Sequence, residues 1–136
     1  MTTVEQLMRD EGLKLKPYRD TVGKLTIGVG RNLDDVGISK GEAELMLSND
    51  VGLTGHALLS ALPWTATLDQ ARFGVLLNMA FNMGVSGLLQ FQNMLSFVKA
   101  GSWMSAADEM LRSKWAEQVG ERAKRLATQM STGQWT

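Results

Sequence analysis

Asp10-Glu11-Gly12, followed by Tyr18-Arg19-Asp20 and Thr26-Ile27-Gly28-Val29-Gly30-Arg31, places two carboxylates and a hydroxyl across a helix end and a hairpin. Val4, Leu7 and Met8 recur at helical spacing and predict a helix over 3–11. Thr2 or Thr3 supplies its N-cap, with Glu5 or Gln6 in the first turn, and Gly12 stops it. Glu11 then closes the helix, where the dipole disfavours a negative charge; that suits a group that must hold a proton in order to give it away. Residues 17–30 read as a hairpin whose turn is Asp20-Thr21-Val22-Gly23. An exposed turn keeps an aspartate ionised. Two carboxyl groups in contrasting settings form an acid and base pair of the kind that cleaves glycosidic bonds. The plainer alternative is a solvated helix-end glutamate and an ordinary Asp-Gly turn. Gly28-Val29-Gly30 is a poor dinucleotide loop, because Leu33 stands where the third glycine belongs and no strand–helix–strand pattern follows.

Working outward, Ser39-Lys40-Gly41-Glu42 is a capping box opening a long helix to about Leu62, with Ala43, Met46, Leu47, Val51 and Leu58 on its apolar side. Gly52 and Gly55 fall mid-helix, each costing about 1 kcal/mol relative to alanine. Either a neighbour packs closely there or the helix is softened as a link between two lobes. Pro63 ends the helix. Thr67-Leu68-Asp69-Gln70 caps a second helix to Gly84, apolar almost all round from Phe73 to Met83, which predicts a buried central helix. Asn78 and Asn82 share one face. Asn78 reads as a satisfied core hydrogen bond, and Asn82 as a polar stripe under a cleft near Glu11. Shorter helices follow over about 91–100, 103–112 and 121–130, separated by Gly101 and Gly120. Trp103 and Trp115 are expected in the core and Trp64 in a surface loop.

The chain has 136 residues, with 14 basic and 14 acidic side chains and no cysteine. No disulfide or thiolate metal site is open to it. His56 is the only histidine, which leaves no histidine triad or metal cage. Ser86 lacks the spacing of a nucleophile elbow. Residues 1–50 carry seven basic and nine acidic groups, so the charge is only mildly polarised, which argues against a dedicated nucleic-acid binder. Arg112, Lys114, Arg122, Lys124 and Arg125 form the one basic cluster, either a solvated helix face or a surface attracted to anionic cell wall. The N-terminus carries neither a basic leader nor an apolar run, so no signal peptide and no membrane insertion are expected.

The order Glu-Gly, Tyr-x-Asp, Thr-Ile-Gly-x-Gly resembles the phage lysozymes of glycoside hydrolase family 24. The resemblance extends through Asn78-Met79-Ala80-Phe81-Asn82-Met83-Gly84, Phe91-Gln92-Asn93, Ser113-Lys114-Trp115, Arg122-Ala123-Lys124-Arg125 and Thr132-Gly133-Gln134-Trp135, and so covers nearly the whole chain. It implies an α+β, mainly α, lysozyme-like fold in one domain, 1–136. Within it are a small lobe with a hairpin over about 13–38, a connecting helix over about 39–62, and a larger helical lobe over 63–136 with helix 3–11 packed on it. The implied reaction is hydrolysis of the β-1,4 bond between N-acetylmuramic acid and N-acetylglucosamine. Glu11 is then the general acid, Asp20 assists the attacking water or the developing positive charge, and Thr26 holds the water. Arg122 supports Glu11 by pairing with it, and substrate contacts fall to Gly30, Asn32, Phe81, Asn82, Met94 and Glu109. Met94 and Glu109 depart from the polar residues of the family pattern. So do the shorter stretch between Leu33 and Ser39 and Arg31, which replaces a histidine; an Arg31–Asp50 ion pair is the expected substitute for that histidine's acidic pairing. No cofactor or metal is implied. The implied partner is peptidoglycan glycan, acted on by a monomer made in the host cytoplasm and released with the help of a separate membrane-permeabilising protein. A lytic transglycosylase using Glu11 alone, and a non-catalytic wall-binding module, are the alternatives.

Overall fold

The computed structural model describes residues 1–136, which fall into two compact units, Met1–Leu47 and Ser48–Thr136. The fold is mainly α, with seven helices and one small antiparallel sheet, an α+β arrangement of lysozyme type.

In the first unit, α1 spans Thr3–Glu11. Its cap is Thr2: the Thr2 hydroxyl accepts from Glu5 N at 3.2 Å, and Glu5 returns a carboxylate to Thr2 N at 2.6 Å. Gly12, at φ +81°, ends it. Strands β1 (Lys14–Arg19), β2 (Leu25–Gly28) and β3 (Arg31–Asn32) pair in that order. Thr26 lies on the middle strand, opposite Tyr18 on one side and Asn32 on the other. The hairpin turns at Asp20-Thr21-Val22-Gly23 as expected, but its strands begin at Lys14 and end at Gly28 rather than spanning 17–30, and β3 is an addition. Two residues of strand give no readable alternation. Side chains of the following turn close this small sheet: Leu25 N donates to Asp34 Oδ2 at 2.8 Å, Lys24 Nζ to Asp35 at 3.1 Å, and Asn32 exchanges two hydrogen bonds with Asp35.

Helix α2, Lys40–Ala61, begins in the first unit and continues into the second. Ser39 and Glu42 form the expected capping box, Ser39 N donating to Glu42 Oε1 at 2.9 Å and Glu42 N to Ser39 Oγ at 3.1 Å. Of its expected apolar side only Leu58 is buried. A Cβ at Gly52 would meet nothing within 4 Å, and one at Gly55 only Leu77 Cδ1 at 3.9 Å, so neither glycine answers to close packing.

In the second unit a 3-10 turn, Pro63–Thr67, leads into α3 (Gln70–Leu88), then α4 (Gln92–Lys99), α5 (Trp103–Arg112), α6 (Lys114–Val119) and α7 (Glu121–Thr132). The cap of α3 is Asp69, which accepts from Arg72 N; the Thr67 hydroxyl bonds back to Trp64 O instead. Gly84 breaks α3 at φ +81°, ψ 157°, where the sequence ended it, and one further turn runs on to Leu88. The helix is not buried all round. Val75, Leu76, Met79 and Ala80 enter the core, whereas Asn78, Phe81 and Asn82 are exposed. Helix α5 packs on α4 and α7, and α7 on α3, around Met79, Ala106, Met110, Leu126 and Met130. Helix α6 was not expected. Ser113 caps it by accepting from Ala116 N, and Trp115, buried as expected, pins it to the core. Trp103 is only half-buried, with the Arg72 guanidinium 4.1 Å above its ring. Trp64 packs against the core rather than standing on the surface. The four tryptophans thus all belong to the second unit, while the single tyrosine, Tyr18, lies on β1. No single helix is long and apolar enough to cross a membrane.

Candidate active site

Glu11, Asp20, Thr26 and Gly30 all belong to the first unit, each fixed by a different local device. Glu11 is the last residue of α1, kept at its end by the Gly12 cap, whose N–H returns to Met8 O at 3.0 Å. Its carboxyl is exposed and has no hydrogen-bond or ion-pair partner within its own unit. The Gly30 turn lies close by: a Cβ at that glycine would stand 3.7 Å from Glu11 Oε2. Gly30 holds φ +69°, a conformation that a side chain disfavours, so the turn calls for glycine on conformational grounds.

Asp20 sits at the mouth of the hairpin turn. Its Oδ1 accepts from Val22 N at 3.0 Å and Lys24 N at 2.8 Å, while its backbone N–H donates to Lys24 O at 2.9 Å. One carboxylate oxygen is therefore fastened and the other left unengaged by the turn. The Thr26 hydroxyl is buried and donates to Lys24 O at 2.9 Å, which leaves its oxygen lone pairs as acceptors for a water molecule. Asp20 and Thr26 thus share Lys24, one through its N–H and both through its carbonyl. Asn32 has both ends of its amide committed to Asp35.

Arg31 pairs with Glu42, Nη1 to Oε1 at 2.8 Å, and its Nη1 also donates to Gly37 O at 3.2 Å. The expected partner, Asp50, belongs to the second unit; within the first unit the carboxylate that Arg31 meets is Glu42. Glu42 already faces back toward the start of α2 through its capping bond to Ser39, so it is the carboxylate within reach of β3. The Arg31 guanidinium, helped by the backbone and hydroxyl of Ser39, holds the Glu42 carboxyl at about 2, well below the usual carboxylate range. Glu42 in turn raises the pKa of Arg31.

The remaining candidates lie in the second unit. Asn82 Oδ1 accepts from Trp115 Nε1 at 3.0 Å, so its amide orients that indole. Arg122 Nε and Nη2 both donate to Asn78 Oδ1, at 2.9 and 2.7 Å, which fixes the guanidinium on α3. Asn78 is thus an exposed partner for Arg122 and not a buried core hydrogen bond. Met94 and Glu109 come together with Phe91, Gln92 and Arg112 around a surface depression of about 260 Å³. Met94 is buried beneath it, and Glu109, half-buried, lies 3.6 Å from Arg112. Phe81 is exposed on α3. Sequence reasoning missed Asn78 as the holder of Arg122 and Glu42 as the partner of Arg31. The Ser39–Glu42 capping box was the available signal for the second.

A family model described as phage lysozyme matches residues 8–131. A probable T4-type lysozyme of Dictyostelium discoideum is 30% identical over 95% of this chain and 93% of its own length. The pre-baseplate central spike protein Gp5 of Enterobacteria phage T4 is 31% identical over 98% of this chain but only 28% of the spike protein. An endolysin of Bacillus phage B103 is 33% identical over 82% of this chain and 43% of its own length.

Proposed function

The chain belongs to the phage lysozyme family and is a peptidoglycan-hydrolysing glycoside hydrolase; from that premise we propose that Glu11 is its general acid, with Asp20 and Thr26 acting on the water side of the β-1,4 bond between N-acetylmuramic acid and N-acetylglucosamine. The observation that carries this reading is the contrast between the two carboxyl groups. Glu11 is exposed at a helix end near the Gly30 turn and is free to reach a leaving oxygen. Asp20 has one oxygen locked by two backbone N–H groups and presents the other. Protonation by Glu11 lets the glycosidic oxygen depart. The Asp20 carboxylate stabilises the positive charge growing on the sugar or takes the proton of the incoming water, and the Thr26 hydroxyl oxygen orients that water. For Arg122 we propose a supporting role in holding the acid, with Asn78 keeping its guanidinium in one orientation. The enzyme acts as a monomer on wall glycan, reached from the cytoplasm once a separate protein has opened the membrane.

The deciding experiment is lysis of bacterial walls by Glu11→Gln beside the wild type. Glutamine keeps the shape and gives up the transferable proton, so lysis is expected to fall by about 10²–10⁴-fold with an unchanged circular dichroism spectrum. Lysis within about tenfold of wild type rejects Glu11 as the acid. Mass spectrometry of the wild-type digest reads the chemistry: reducing ends are expected, and anhydro-muramic ends would mean transglycosylation without water.

A further inference from the structure

Glu11 lies near a segment held by an ion pair that does not itself touch the reacting atoms. Gly30 and Arg31 are consecutive, and they face opposite tasks. Gly30 turns the side on which a Cβ would stand toward Glu11 Oε2, 3.7 Å from where that atom would be. Arg31 opens β3, a strand only two residues long, whose pairing with β2 rests on Ile27–Arg31 and Thr26–Asn32. So short an edge strand is weakly held by its ladder. The Arg31 side chain supplies what the ladder lacks. Its Nη1 reaches Gly37 O and Glu42 Oε1, six and eleven residues further along.

Glu42 is an unusually firm end for such a tether. The same Oε1 that takes Arg31 also takes Ser39 N at 2.9 Å, and Glu42 N is itself held by Ser39 Oγ. The carboxylate is therefore pinned to the first turn of a 22-residue helix and cannot follow Arg31 if the strand moves. Its pKa of about 2 keeps it charged at every pH where a wall hydrolase works. At the other end, Glu11 has no partner of its own within the unit, and the Gly30 turn is its neighbour there.

We propose that the Arg31–Glu42 ion pair is a positioning element for the catalytic acid, keeping the Gly30 turn beside the Glu11 carboxyl by tying β3 to the N-terminus of α2. The inference rests on Glu11 being the acid. Neither Arg31 nor Glu42 touches the reacting atoms; their effect passes through one peptide unit. A loosened pair lowers the fraction of time the acid spends in register, so its main effect falls on kcat even though Gly30 and Asn32, expected substrate contacts, share the segment.

The test is steady-state cleavage of soluble, uncrosslinked peptidoglycan glycan by Arg31→Met, Arg31→Lys and Glu42→Gln, with amide spectra of each. Methionine keeps most of the stem and removes the guanidinium. For Arg31→Met, kcat is expected to fall about tenfold with KM within about twofold, as positional looseness in a supporting shell predicts. The Gly30 amide should shift while amides of α2 beyond Leu47 stay in place. Lysine restores the charge and should recover kcat to within about threefold of wild type. Unchanged kcat with an unmoved Gly30 amide overturns the proposal, as does a rise in KM alone. Should Arg31→Met lose the sheet, Glu42→Gln decides, because a glutamine oxygen still accepts from Ser39 N and spares the cap. A kcat loss of about threefold supports the proposal, and parity with wild type overturns it. An inactive wild-type protein would instead overturn the lysozyme reading. The Gly30 amide and the Glu11 carboxyl carbon signal would then still show whether the pair holds that contact.

Discussion

Single side chains in this protein are committed by geometry that composition does not reveal, and Arg72 shows it best. Its side chain is only 14% exposed. Nε donates to Met130 O at 2.7 Å and Nη2 to Ser131 O at 3.2 Å, two carbonyls of the last turn of α7; Nη1 reaches Asp69 Oδ1, and the plane covers the Trp103 ring. A planar fork is needed for that set, so Arg72→Lys is expected to destabilise by about 1–3 kcal/mol although the charge is kept, read by urea unfolding. Parity with wild type would mean the carbonyls are satisfied by water. Beside it, Gly133 closes α7 at φ +71°, and a Cβ there would stand 2.9 Å from Arg72 Nη1. Gly133→Ala combines left-handed strain with that clash and should cost about 1–3 kcal/mol in the same assay. What was legible at this scale were residues whose role is local: Gly12 as a stop, Asp20 in its turn, Ser39 as a cap. Partners distant in sequence were not. Asn78 with Arg122, Asn82 with Trp115 and Arg72 with the end of α7 are separated by 33 to 59 positions, and no periodicity encodes such pairs.

At the scale of elements, long periodic segments announced themselves and short ones did not. The bounds of α1 and α2 agree with expectation to about one residue, because capping boxes mark their starts and glycine or proline their ends. Strand β3 and helix α6 have two and six residues, fewer than two periods of any pattern, and a seryl cap preceding Lys114 was the sole cue. The start of α2 carries a pH consequence. Glu42 has its folded pKa depressed to about 2 from an ordinary 4.5, so the stability it lends is fully present above 4.5 and is lost as pH falls toward 2. In urea, the β3 and early α2 amide signals should therefore lose their native dispersion at lower denaturant at about pH 3 than at about pH 6 in the wild type. In Glu42→Gln the difference should shrink, and a wild type indifferent to pH in that window would disprove the linkage.

For the whole molecule, the division of labour is uneven. Every buried apolar side chain, from Leu58 to Met130, belongs to the second unit, whereas the first buries only Thr26 and is held by turns, caps and side-chain bonds. A three-stranded sheet without an apolar core is marginal in water. A peptide of residues 1–47 is accordingly expected to give a largely disordered amide spectrum, and a well-dispersed one would refute this account. The chemistry of the site was legible because it is concentrated in that first stretch of sequence. The apolar pattern said less about which face is buried, as the open Asn78, Phe81 and Asn82 side of α3 shows. The distribution of aromatic residues turns the same unevenness into an optical tool. Indole emission reports on residues 48–136 alone, and one fluorine placed on the ring of Tyr18 reports on the hairpin alone. Two probes that share no residue make cooperativity directly visible. The fluorine resonance is expected to lose its native position at a lower urea concentration than the indoles, and superimposable curves would show that the two units melt as one.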